Sequence, residues 1–106
     1  GFFDMLFIDA LHTYCHVTYE LEKFSYFTRK YIIFHDTSGS WGNVDEPNDD
    51  PNCLNYPSHF NHTKRGVWTA VIDFIEHHSE WQIKHRYINN NGLTILQRVR
   101  TNIEIN

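Results

Sequence analysis

The feature that most constrains this chain is a pair of apolar runs that each end in an aspartate, with an amphipathic stretch between them. Phe2 to Ile8 is apolar at every position except Asp4 and is closed by Asp9. A run that is apolar at successive rather than alternate positions reads as a parallel strand covered on both faces. Tyr14, Val17, Leu21 and Phe24 then recur at three- and four-residue spacing, with Glu20, Glu22 and Lys23 on the polar side. That period predicts a helix with one buried stripe. Tyr31 to Phe34 is a second, shorter strand that runs into His35, Asp36 and Thr37. Strand, helix and strand in this order predict a βαβ unit.

Beyond it, residues 38–62 hold all three prolines and many Asn, Asp and Ser residues without a sustained period. A stretch of this length is either a lid or binding loop or a plain disordered insertion. Thr63 is placed to cap a second helix whose inner face is Val67, Val71, Phe74 and His78, broadened by Ile72 and Ile75. Gln82 to Ile88 and Leu93 to Val99 follow as strands joined by Asn89, Asn90, Asn91 and Gly92, residues that tolerate positive φ. The expected architecture is one α/β domain over residues 1–106, with two parallel strands, two helices and a C-terminal antiparallel hairpin.

Charge and composition narrow the function classes. Residues 1–53 carry three basic and nine acidic side chains, and residues 54–106 carry six and four. Neither half has the basic stripe that grips a phosphate backbone, so nucleic acid is not the expected partner. No apolar run approaches the roughly 20 residues that cross a bilayer, and no signal peptide is expected. Cys15 falls in the helical pattern and Cys53 in the long loop. Two reduced thiols and a cytoplasmic location are the plainer expectation.

Chemistry is expected at the carboxyl ends of the parallel strands, where polar loops converge over buried strands. Asp9 and Asp36 stand there, with His12, His35 and Thr37 a few residues away. Two carboxylates, a hydroxyl and water make a hard oxygen shell of the kind that holds magnesium or manganese. An imidazole such as His12 takes a proton at neutral pH. The competing reading is that both aspartates start turns and cap the elements that follow. Zinc is disfavoured, because His59 with His62 and His77 with His78 fit no metal motif and the cysteines lack a C-x-x-C spacing. Trp41 and Trp68 are candidates for a pocket wall or for the core. Lys64 and Arg65 are candidates for an anionic ligand or for a solvated helix start.

Four ordered anchors carry a resemblance: Phe3 through Tyr14, Tyr31 through Thr37, Gly66 through Val71, and Asn90 through Leu93. Together they resemble the second half of a class I S-adenosylmethionine-dependent methyltransferase domain, of the small-molecule or sugar O-methyltransferase group. The resemblance implies a partial Rossmann-like sheet in which Asp9 and Asp36 end the fourth and fifth strands of the whole fold. It implies that Asp9, Asp36 and Thr37 hold a divalent ion such as Mg2+, and that His12, with Asp9, acts as a catalytic residue beside the hydroxyl of a small-molecule or sugar acceptor. The closing hairpin becomes the sixth and seventh strands, with the last inserted antiparallel beside the fifth.

The chain departs from that pattern in three places. Thr28, Arg29 and Lys30 stand where relatives have Pro-Gly-Gly, Ala10 stands for the commoner Gly, and no G-x-G occurs anywhere. The resemblance therefore implies that the glycine-rich cofactor loop is to be expected in an N-terminal half outside these residues. A strand of central-strand composition at the sheet edge, and two helices on one face, point the same way. The expected partner is that missing half, or a second copy paired through the first strand. The alternatives are a noncatalytic interaction domain derived from the same fold and an unrelated metal-dependent hydrolase.

Overall fold

The computed structural model describes residues 2–8, 13–45, 56, 57, 59–61 and 63–99, the side chains of Ser40 and Trp41 excepted. The elements are β1 (Phe3–Ile8), α1 (Tyr14–Phe24), β2 (Thr28–His35), the short α2 (Ser40–Asn43), α3 (Val67–His77), β3 (Trp81–Tyr87) and β4 (Leu93–Arg98). They form a small mixed α/β domain around one four-stranded sheet of order β1-β2-β4-β3. β1 and β2 are parallel, and β4 runs antiparallel to both β2 and β3.

Each element forms for a reason visible in its residues. Thr13 caps α1, its hydroxyl accepting from the His16 N–H at 3.1 Å. The helix buries Tyr14, Cys15, Val17 and Leu21 on one side. α3 buries Val67, Ala70, Val71 and Phe74 on the matching side. Its start corrects the expectation for Thr63, because the capping position is Gly66, which has no side chain to cap with. Thr63 instead turns back onto Asn61, donating from both N–H and hydroxyl to its Oδ1. Gly66 sits at φ 98°, and a Cβ there would lie 2.3 Å from the Gly42 carbonyl oxygen, so only glycine fits. In the hairpin turn Asn90, Asn91 and Gly92 all take positive φ, as their types allow.

Asp45 fastens the start of the long loop to two helices. The Oδ1 of buried Asp45 accepts from the N–H of Tyr14 at 2.9 Å and from the N–H of Gly66 at 2.7 Å. Both donors lie at helix N-termini, where main-chain N–H groups lack intrahelical partners. One carboxylate therefore ties α1 to α3 and favours both macrodipoles.

Both helices cover the same face of the sheet. Against them pack Ile8, Ile32, Phe34 and Leu96 of the sheet, all 3% exposed or less. The opposite face carries Phe3, Met5 and Phe7 of β1, between 44% and 54% exposed, and the half-buried Ile33 and Ile95. Phe7, Ile33, Ile95 and His85 lie in one row across the four strands. Among the described residues β1 is an edge strand with one bare face, as the expected edge position with two helices on one face implied, and the cover on both faces that its composition suggested is not supplied. Its composition suits a central strand, but burial depends on a second layer that the described residues do not supply.

The cysteine expectation is corrected as well. Cys15, 1% exposed, is disulfide-bonded. Among the described residues no cysteine is free. The other cysteine, Cys53, lies outside the described residues. Assigning Cys15 to a helix and Cys53 to a loop says nothing about their separation in space, which the packing decides. No helix among the described residues is long and apolar enough to cross a membrane.

Candidate functional site

Of the residues singled out at the strand ends, Asp9 and His12 lie outside the described residues. His35, Asp36 and Thr37 are brought together with the hairpin turn, which the sequence did not anticipate. The Asp36 N–H donates to the Gly92 carbonyl at 3.0 Å and the Ser38 N–H to the Asn91 carbonyl at 2.7 Å. The Ser38 hydroxyl donates to the Ile88 carbonyl at 2.7 Å. Asp36 itself is buried and holds φ 61°, a left-handed conformation that costs a non-glycine residue about 1 kcal/mol or more. Strain of this kind persists only where surrounding bonds overdetermine it, and here the turn supplies them.

The Asp36 carboxylate Oδ2 lies 3.1 Å from His35 Nδ1, which orients the imidazole. A cleft of about 280 Å³ opens beside His35, between Tyr87, Asn89 and Leu93. Thr37 is fully buried, and its hydroxyl shares a 2.8 Å hydrogen bond with that of Thr94. It is thereby engaged within the core. Among the described residues no group of three His, Cys, Asp or Glu side chains is placed to hold a metal ion. Asp36 with Thr37 does not complete an ion shell, so a divalent ion does not fit the described residues by themselves.

Trp68 packs, partly buried, against the core, and its ring carries the Arg86 guanidinium 3.6 Å from its centroid. The side chain of Trp41 lies outside what is described. Lys64 does not wait for an anionic ligand: its ammonium holds both Asp73 carboxylate oxygens, at 2.8 and 2.7 Å. Arg65 lies 3.6 Å from Asp45 Oδ2 and donates to the Lys64 carbonyl at 2.8 Å.

A second constellation, between the helices, escaped the sequence. Tyr14 donates its hydroxyl to Asp73 Oδ2 at 2.7 Å. Burial, reinforced by the hydrogen bond and negative charge of Asp73, pushes the phenol up to about 12. Burial also pushes Asp73 upward, but the hydrogen bonds from Lys64 and Tyr14 outweigh it and hold the carboxyl below its usual range. These groups border a cleft of about 380 Å³ between α1 and α3. The one sequence signal for it is Asp73 itself, a carboxylate inside the otherwise apolar run Val71 to Ile75. Its partner Tyr14 is 59 positions away.

Compared with known proteins, the chain matches no family model, no curated protein and no solved structure.

Proposed function

We propose that the chain takes part in S-adenosylmethionine-dependent methyl transfer to a hydroxyl of a small molecule or sugar, as one half of a larger domain or complex. The observation that carries this reading is the strand order β1-β2-β4-β3, with the last strand inserted antiparallel beside β2. That insertion is what the methyltransferase resemblance implied for the closing hairpin. It is an uncommon way to end a βαβ sheet, since a plain hairpin would add β3 beside β2 first.

In this reading S-adenosylmethionine, when bound, supplies the electrophilic methyl group. The chain's own residues align the acceptor and handle its proton. Asp36, pinned by the hairpin turn, holds the His35 imidazole at the cleft beside it. The resemblance gives His12 the acceptor proton and makes Asp9 the second catalytic residue. Mg2+ would depend on Asp9 to build its shell, and no step is assigned to it. The bare face and the open edge of β1 suit a missing N-terminal half or a second copy. The disulfide at Cys15 favours an oxidising compartment over the cytoplasm.

Calorimetric titration with S-adenosylmethionine, with and without magnesium, tests the proposal on the chain and on any longer natural polypeptide that carries it. Saturable binding near one cofactor per site is the expected result. No binding at millimolar cofactor by either folded form overturns it. The bare sheet face favours a second reading, a noncatalytic interaction domain, which that negative result together with a stable self-assembly would support.

A further inference from the structure

The cleft between α1 and α3 has a polar rim in which acceptors predominate. Its floor is apolar: Leu21, Ala70 and Phe74 are buried there, and the small Ala70 leaves room that a larger residue would fill. His77 Nδ1 lies 2.8 Å from the Asp73 carbonyl oxygen, and His78 Nδ1 lies 2.8 Å from the Phe74 carbonyl oxygen. A main-chain carbonyl only accepts, so each imidazole carries its proton on Nδ1. In the neutral ring Nε2 is then a bare lone pair, an acceptor.

Of the remaining polar groups the carboxylates add acceptors, while His59 donates from Nε2 to Glu22. Glu22, across from them on α1, is a carboxylate 3.3 Å from His59 Nε2. Asp73 is a second carboxylate, though largely balanced by Lys64. His77 and His78 also stand at the C-terminal end of α3, where the macrodipole leaves partial negative charge. Lys64 is the one permanent cation among these groups, and Asp73 already holds it. An apolar floor rimmed by acceptors and by net negative charge suits a donor with an apolar body.

We propose that the α1–α3 cleft is a binding site for a small organic ammonium, an alkyl or aryl amine whose charged head meets Glu22 and the imidazole acceptors while its body covers Leu21, Ala70 and Phe74. The site is separate from the β2 rim and does not depend on methyl transfer. A metal ion is the poorer occupant, because no group of three ligating side chains among the described residues is placed for one.

The test is two-dimensional amide NMR of the chain titrated with phenethylammonium, alongside neutral phenethyl alcohol and anionic hydrocinnamate of similar size. The expected result is saturable shifts at Leu21, Ala70 and Phe74 with the ammonium. Its affinity should exceed that of the alcohol by about five-fold, a difference in the range that one partly screened charge contributes. Glu22→Gln, at an exposed position and with its fold checked by circular dichroism, should remove most of that advantage. Equal affinity for ammonium and alcohol, tighter binding of the anion, an unchanged preference in Glu22→Gln, or no saturable shift at tens of millimolar ligand would each overturn the proposal.

Discussion

Ile32 and Ile33 are adjacent in β2, yet one is fully buried under the helices and the other lies half-buried on the opposite face of the sheet. Phe34 and Phe7 repeat the contrast: the first is 0% exposed and the second 51%. Both faces are built from the same residue types. The difference is that Asp45 and the apolar stripes of α1 and α3 bind two helices to one face, while nothing among the described residues covers the other. Apolar character in a strand therefore states a demand for burial, and only a second layer meets it.

The contrast is broken most severely by Phe34→Ala, which leaves a cavity under the helices and should cost about 3–5 kcal/mol, enough to unfold a marginal domain. Phe7→Ala on the bare face should cost under about 1 kcal/mol in the isolated chain. Urea denaturation followed by circular dichroism measures both. A cost for Phe7→Ala that grows with protein concentration would show that a second copy covers this face in solution.

Asp45→Ala comes next. It strips a buried acceptor from the N–H groups of Tyr14 and Gly66 together, and we expect a loss of about 2 kcal/mol in the same experiment. A loss near zero would mean that the two helix starts find other partners and that the covered face does not depend on this clasp.

The helix-pair network gives a pH signature at each end of the scale. Tyr14 is raised from 10.0 to about 12, so the folded state holds its proton more tightly than the unfolded chain. Its contribution is intact below pH 10 and is lost as pH rises from there through about 12, a fall of about 2 kcal/mol. Asp73 is lowered, so its contribution is present above its ordinary range near 3.8 and is lost as pH falls through the depressed value. Tyr14→Phe should flatten the alkaline limb, as read from melting temperature against pH. The smallest effect belongs to His59→Ala. This exposed partner of Glu22 should contribute a few tenths of a kcal/mol at most, because solvent and salt screen the pair.

How far the residues themselves disclosed this outcome varies by element. The positions of α1, α3, β3 and β4 followed from apolar period, and the hairpin turn followed from Asn and Gly types. β2 reaches back to Thr28, three residues before the apolar run begins, because strand pairing with β1 continues through polar positions. α3 begins beyond Thr63 because the loop hands its chain to the helix through Gly66 and Asp45, a contact with no local signature. At the candidate rim, His35 and Asp36 were legible as strand-end residues. Their attachment to Asn91 and Gly92 was not, nor was the engagement of Thr37 with Thr94, 57 positions on.

By itself the sequence determined what short-range physics controls: the two helical stripes, the apolar strands, and a turn whose Asn and Gly residues accept positive φ. The tertiary structure alone decided which face of the sheet is buried, that Cys15 is disulfide-bonded, that Asp45 clasps two helices and that Tyr14 meets Asp73. Those outcomes join residues far apart in the chain. Their geometry comes from packing whole elements against one another, and no local pattern encodes that separation.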